Sequence, residues 1–425
     1  MKTKKEKLNV LVFNCGSSSL KYRLISVPGN KEICAGEAQR IGPKTAEPAR
    51  IIHKEAGKKE ITQVDMKDHG EAFTQVLKIL SKNKENIPDV LGHRVVHGSD
   101  IFSTYCIIGE KEIEELKKTL PLAPIHNPPA ITLIESCHNL YPKIPQVAVF
   151  DTGFHSTIPE YARTYALPMW IRKKFGIKKY GFHGTSHKFV MQETCKMLNI
   201  PVDKFNGVSC HLGSGGASLC AIVNGKSIDN TMGYTPLPGL VMSTRSGDID
   251  PGTTLNIIGY FNGDYEKTEN LLNKKSGVLG MSGFSADIRD IIKEAEKEDG
   301  NPMAKEVLKT YLWRMKKALG SYLAIVGNPY AIIFTDTIGE LVPEVRWEVC
   351  TGLEAFGIKP DPQKNIKANN YENLPADFAS DESKVRLIAM PTNEELAIAR
   401  ITASVVWNKF MDTPFDTENS KEVLS

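Results

Sequence analysis

The stretch Leu8-Asn9-Val10-Leu11-Val12-Phe13-Asn14-Cys15-Gly16-Ser17-Ser18-Ser19-Leu20-Lys21-Tyr22-Arg23-Leu24-Ile25-Ser26-Val27 decides the fold. Residues 8–13 are an apolar run rich in Val and Leu. Residues 14–19 are small and polar, and 20–27 return to an apolar pattern. That reads as strand, tight turn, strand. A second unit of the same kind lies far downstream: Gly207-Val208-Ser209-Cys210, then His211-Leu212-Gly213-Ser214-Gly215-Gly216, then residues 217–223. Both are predicted β-hairpins whose turns carry small residues and open backbone N–H groups. Two such hairpins suggest a duplicated domain.

Between and beyond the hairpins, apolar residues recur at helical spacing over 71–82, 111–120 and 304–322. The Pro-rich segment Pro121-Leu122-Ala123-Pro124-Ile125-His126-Asn127-Pro128-Pro129 predicts an extended or looped path. Strand-like runs at 146–150 and 330–335 each end in a cluster of Asp, Thr and Gly. Apolar strands alternating with helices, with polar residues at the strand exits, predict an α/β fold. A chain of 425 residues is too long for one ordinary core, so two domains are expected. Charge is nearly balanced, with 53 basic against 50 acidic side chains, which gives no reason to expect nucleic acid or an anionic membrane as partner. The basic start, residues 1–7, precedes an apolar run too short for a secretory signal, and no run is long enough to cross a bilayer. Eight scattered cysteines without a C-x-x-C pair read as reduced thiols of a cytoplasmic protein. Residues 412–425 are polar and predicted to fray.

Titratable groups gather among glycines and aromatics in four places: His93-Arg94-Val95-Val96-His97-Gly98, Phe150-Asp151-Thr152-Gly153-Phe154-His155, Tyr180-Gly181-Phe182-His183-Gly184-Thr185-Ser186-His187 and Ser243-Thr244-Arg245-Ser246-Gly247-Asp248. Glycine lets backbone approach a ligand, and Arg offers a planar fork suited to phosphate and carboxylate. Each cluster alone also reads as a structural ion pair or capped turn. Familiar nucleotide loops are absent. Gly225-Lys226-Ser227 ends like a P-loop, but Cys220 stands where its first glycine belongs, and Ser218 spoils a dinucleotide loop over 213–218.

Four longer motifs, in order, carry a resemblance. Asn14-Cys15-Gly16-Ser17-Ser18-Ser19-Leu20-Lys21 resembles the opening signature of the acetate kinase family, and Gly181-Phe182-His183-Gly184-Thr185-Ser186-His187 its second signature. Asp229-Asn230-Thr231-Met232-Gly233-Tyr234-Thr235-Pro236-Leu237 and Pro391-Thr392-Asn393-Glu394-Glu395-Leu396 are similar to further family blocks. The resemblance runs over residues 8–400. It implies two duplicated ribonuclease-H-like α/β domains, the actin and hexokinase-like ATPase architecture, with the active site in an interdomain cleft. The first would be 1–155, completed by a C-terminal helix at 396–425. The second, on the nucleotide side, would be 156–395.

The activity implied is reversible, Mg²⁺-dependent transfer of a phosphoryl group from ATP to acetate, with Mn²⁺ able to substitute, in a homodimer. By resemblance, Asn14 and Glu394 would hold the metal, and Ser17, Ser19 and Lys21 would line the phosphate path. Arg94 and Arg245 would grip the carboxylate and the transferring group, His183 would donate to that group, and Asp151 would serve as acid/base or orienting carboxylate. Val96, Pro236 and His126 would border the short carboxylate. His211, Leu212, Gly213, Ser214, Gly215, Asp287, Ile288, Arg289, Thr337, Ile338, Gly339, Glu340 and Leu341 would face the nucleotide. A substrate carboxylate is ionised at pH 7 and needs no base. It needs relief from repulsion by a polyphosphate, and then alignment.

Two places depart from the family pattern. The turn after His211 holds an extra residue. In Phe334-Thr335-Asp336-Thr337-Ile338-Gly339-Glu340-Leu341, Thr337 replaces a glycine and Leu341 an asparagine. A side chain at 337 narrows the space for adenosine. Propionate as acceptor, pyrophosphate or phosphate in place of ATP and ADP, and a nucleotide-gated binding module of the same fold are the alternatives.

Overall fold

Residues 6–16, 18–42, 48–123 and 127–407 are described by a computed structural model. Ser17, His126 and the 408–425 part of the expected C-terminal segment lie outside the described residues. The chain divides into two units, one of Met1–Gly153 with Asn393–Ser425, the other of Phe154–Thr392. The second boundary assigns residues 393–395 to the first unit, not the second as the sequence suggested. The reason is that Glu394 begins the helix Glu394–Trp407, which packs on the first unit's sheet.

In the first unit, β1 (Leu8–Cys15) and β2 (Ser19–Val27) form the expected hairpin, antiparallel with Asn14 opposite Lys21. The sheet continues through β3 (Lys31–Gln39), β4 (Arg50–Glu55), β5 (Lys58–Gln63), β6 (Val90–Val95), β7 (Tyr105–Ile107) and β8 (Gln146–Phe150). Its order is β5-β4-β3-β2-β1-β6-β8-β7, with β1, β6 and β8 parallel. Strand β1 is buried on both faces, which explains why its sequence is a nearly unbroken apolar run. Leu11 and Phe13 face Phe73 and Val76 of helix His69–Leu80 and Leu133 of helix Asn127–Leu140. Val10 and Val12 face Ile398 and Ile401 of helix Glu394–Trp407. Asp68 caps the first of these helices by accepting from the Glu71 N–H at 2.8 Å.

The Pro-rich segment differs from its predicted extended path. Leu120–Leu122 form a 3₁₀ turn, and Asn127 opens a helix that carries Pro128 and Pro129 in its first turn. Proline is tolerated there because first-turn N–H groups have no intrahelical acceptor to lose.

The second unit repeats the pattern. Strands β9 (Gly207–Leu212), β10 (Ala217–Val223), β11 (Lys226–Asn230), β12 (Ala331–Thr335), β13 (Ala376–Asp377) and β14 (Arg386–Ala389) lie in the order β11-β10-β9-β12-β14-β13. An antiparallel hairpin, β9 with β10, is followed by parallel β12 and β14, as β1 with β2 is followed by β6 and β8. The duplication suggested by the two turns is therefore present in the strand order. The helix Pro302–Val326 packs against β9 and β10, and Gly184–Leu198 against β9 and β12. Among the described residues, no helix is long and apolar enough to cross a membrane.

Phe334, fully buried in β12, lies 5.8 Å from the Phe378 ring. Phe334→Ala should cost about 3–5 kcal/mol of stability, read from a shifted denaturation midpoint at unchanged slope. A loss below about 1 kcal/mol would contradict this account of the core.

Candidate functional site

In a parallel sheet, strand exits face the same edge, and the residues just past the buried core meet there. In the first unit, Phe13 pairs with His93 across β1 and β6, which brings Asn14 beside Arg94. Arg94 sits opposite Val149 of β8, and Asp151 follows Phe150 at that strand's exit. The Arg94 guanidinium, one-fifth exposed, grips the buried Asp151 carboxylate: Nη2 donates to Oδ2 at 2.6 Å and Nε to the same oxygen at 3.0 Å. Its remaining nitrogen, Nη1, lies 3.4 Å from Asn14 Oδ1 and 3.4 Å from Glu394 Oε2. Burial disfavours the charge on Arg94, but Asp151 and Glu394 more than offset this and raise its pKa. Val96 is half-buried just past β6.

Asn14 Oδ1 and Glu394 Oε2 are hard oxygen donors of the type a small divalent cation takes, and both lie near the same nitrogen, Arg94 Nη1. Among the described residues, no group of three His, Cys, Asp or Glu could hold a metal alone.

The Ser19 carbonyl accepts from the Gly16 N–H at 2.9 Å, closing the hairpin turn, and His69 Nε2 lies 2.9 Å from Gly16 O. Lys21 is exposed and lines an open groove of about 300 Å³ with Arg23, Lys54, Lys59 and Glu395. Among the described residues, no hydrogen bond ties Lys21 to the Arg94 set.

In the second unit, four imidazoles gather beneath the turn Gly213–Gly216. The rings of His183 and His211 lie 4.1 Å apart between centroids, and His187 and His155 stand 5.8 Å apart behind them. His183 opens the helix Gly184–Leu198 at φ +59, and its Nδ1 is 2.9 Å from Ser218 Oγ. The same hydroxyl lies 2.9 Å from His187 Nε2. Burial, with His155 and His211 nearby, holds His187 well below its usual pKa, so it is neutral.

Arg245 Nη1 donates to the Pro236 carbonyl at 3.3 Å, and none of the described carboxylates is bonded to it. Burial lowers its pKa. A Cβ added at Gly216 would come within 3.3 Å of His183 Nε2 and 3.4 Å of Arg245 Nη1. His183, Arg245 and this turn therefore share one small space. The turn is closed by the Gly213 N–H donating to Gly216 O at 2.9 Å and by the Ser243 hydroxyl donating to the Ser214 carbonyl.

Beside the turn lies a cavity of about 200 Å³, lined by Ser214, Met242, Asp287, Ile288, Tyr311 and Ile338 among others. Gly215 is exposed at the turn's tip, and Leu212 is fully buried, so it can offer a ligand only backbone. Arg289 turns back onto Asp287, with Nε 2.9 Å from Oδ1, and does not line the cavity. Thr337 directs its hydroxyl to Asp336 Oδ1 at 2.9 Å, and Ile338 takes the cavity wall instead. Leu341, half-buried, ends the short helix Asp336–Leu341.

Glu340 and Gly339 are buried on the inner side of this helix. Glu340 Oε1 accepts from the N–H groups of Asp336 at 2.7 Å and Thr392 at 2.9 Å, and from the Thr335 hydroxyl at 3.2 Å. The carboxyl thus ties two strand exits together from inside, and burial raises its pKa.

Four residues in this neighbourhood were not legible in the sequence: Gly216, Ser218, Asp336 and Arg346. Arg346 is fully buried and gives its donors to carbonyls of Gly339 (2.9 Å), Glu340 (2.7 Å) and Ala368 (2.6 Å), capping the helix from below. Burial pushes its pKa down to about 10. The signal for Asp336 is the register that sets Thr335 opposite His211. No pattern in the sequence signals a buried arginine.

A family model described as the acetokinase family matches residues 9–400. The acetate kinase of Dictyoglomus turgidum is 43% identical over 412 residues, 95% of this chain and 99% of that protein. The crystal structure of Porphyromonas gingivalis acetate kinase superimposes with a TM-score of 0.87 at 37% identity, covering 94% of this chain and 100% of that one. A propionate kinase from Francisella tularensis gives 0.85 at 37% identity, covering 95% and 100%.

Gly216→Ala tests the geometry of the turn. It should lower turnover about 10-fold, equivalent to ~1.4 kcal/mol of lost transition-state stabilisation, at an unchanged melting temperature. Unchanged turnover would show that His183 and Arg245 do not work at this turn.

Proposed function

This chain belongs to the acetokinase family, and on that premise we propose that it transfers a phosphoryl group reversibly between ATP and acetate, giving ADP and acetyl phosphate. It is a phosphotransferase with a carboxyl group as acceptor. The observation that carries the reading is Arg94, held by Asp151 with one nitrogen turned to Asn14 and Glu394.

In the proposed reaction a carboxylate oxygen attacks the terminal phosphorus, the new O–P bond forms, and the bond to the leaving ADP oxygen breaks. No proton moves, so no base is needed. Asp151 therefore fixes Arg94 in place instead of abstracting a proton, which its bidentate pairing supports. His183 and Arg245, at the Gly213–Gly216 turn, donate to the oxygens of the transferring group. Val96 and Pro236 border the methyl group. Mg²⁺ at Asn14 and Glu394 would neutralise phosphate oxygens. The apolar cavity beside Ser214 and Asp287 is of a size to take a purine ring, which supports a nucleotide donor over pyrophosphate. Propionate differs from acetate by one methylene, worth ~1–3 kcal/mol of discrimination. The eight unpaired cysteines support a cytoplasmic setting.

Two helices of the second unit, Met169–Phe175 and Pro251–Tyr260, have no buried residue, yet expose Trp170, Phe175, Leu255 and Tyr260. We assign these faces to a homodimer contact. Leu255→Glu with Tyr260→Glu should halve the mass seen by light scattering; an unchanged mass would reject that surface.

The reaction is tested by trapping acyl phosphate as the hydroxamate, with ATP and with pyrophosphate. Product is expected with ATP and acetate and should fall at least 100-fold in Arg94→Ala, with the fold intact by circular dichroism, because such charge contacts supply ~2.7–4 kcal/mol. Product with pyrophosphate alone would replace the donor, and no product with either would overturn the reading.

A further inference from the structure

Asp336 stands where the chain leaves β12, at φ +61. In that left-handed region a Cβ is costly, and Asn and Asp enter it more readily than most residues. Its surroundings fix it firmly. The backbone N–H donates to Glu340 Oε1, and Oδ1 accepts from the Thr337 N–H at 2.5 Å and the Thr337 hydroxyl at 2.9 Å. That leaves Oδ2 turned to His211 Nε2, 3.1 Å away. The carboxylate lies against the turn: a Cβ at Gly213 would be 2.5 Å from Oδ2, so only glycine fits there. Burial alone would raise the Asp336 pKa, but His211 and Thr337 more than offset this and lower it.

A carboxylate only accepts, so the proton between Asp336 and His211 belongs to Nε2. The other ring nitrogen, Nδ1, lies 2.9 Å from Ser186 Oγ, which is 2.8 Å from Thr392 Oγ1. In the neutral ring Nδ1 then accepts from the Ser186 hydroxyl, which accepts in turn from Thr392. With both nitrogens engaged, the His211 ring cannot turn. Its face meets the His183 ring at 4.1 Å, tilted by 33°.

We propose that Asp336 is a positioning residue: through Nε2 of His211 it clamps that imidazole against His183 and so fixes the ring that serves the transferring phosphoryl group. The inference rests on the reading of His183 given above. Asp336 acts without touching the substrate, so its loss should appear in turnover and not in the Michaelis constants.

Asp336→Asn isolates the charge, since Asn tolerates the left-handed backbone and its Oδ1 can still accept from Thr337. It should lower kcat about 10-fold, ~1.4 kcal/mol, with KM for donor and acetate within about 2-fold. His211→Gln, which leaves Asp336 and its backbone bonds in place, should lose a similar factor, and the double variant should lose no more than either alone. The nitrogen-15 spectrum should show His211 as the Nε2–H tautomer in the wild type and a mixture in Asp336→Asn.

Unchanged kcat in either single variant, additive losses, or a loss confined to the donor KM would each overturn the clamp. So would an unaltered tautomer, including where Asp336→Asn melts early. Wild-type turnover in His183→Ala would instead overturn the His183 reading and leave the clamp to be judged by the nitrogen shifts.

Discussion

Register between parallel strands is the constraint on which the candidate residues of each unit depend. Asn14 meets Arg94 because Phe13 is paired with His93, and Asp336 follows a residue paired with His211. Side chains alternate faces along a strand, so a slip of one residue would turn Arg94 away from Glu394 and bury a guanidinium on the opposite face, which holds Phe13, Ile134 and Phe150. Burying a charge there without a partner costs several kcal/mol. The apolar strands therefore hold the register, and the register places the polar residues. The same strand order in both units provides two such edges in one chain.

The hairpins were legible because their signals are local: an apolar run, a turn of small residues, a second run. The strands at 146–150 and 330–335 and the helices at 71–82 and 304–322 were legible for the same reason, with boundaries differing by a few residues. The start of the helix at Asn127 was hidden because proline reads as a breaker unless its place in the first turn is known. Within the candidate site, residue types pointed to Arg94, Asp151, His183 and Arg245, but not to their partners. Arg94 with Asp151 spans 57 residues, and Glu340 with Thr392 spans 52. Such pairings arise from topology, which composition and periodicity do not encode. Glu340 illustrates the cost: in sequence it is one more polar residue near a nucleotide, whereas in the structure it bonds strand exits from within.

The two arginines that look alike in sequence stand in opposite electrostatic settings. Around Arg94 stand two carboxylates, Asp151 and Glu394. In the reaction proposed above, a phosphate would come to this cluster with a cation, which the oxygens of Asn14 and Glu394 would help to hold. Among the described residues, the hydrogen-bond partners of Arg245's guanidinium are a carbonyl and the Met242 sulfur. A guanidinium keeps its proton even when burial disfavours it, so Arg245 is a desolvated positive charge whose natural complement is an anion. An Arg94 without Asp151 would lose its orientation, and an Arg245 given a carboxylate would be neutralised before any substrate arrived. The first unit thus presents acceptor oxygens beside a paired guanidinium, and the second presents a guanidinium that no described carboxylate pairs.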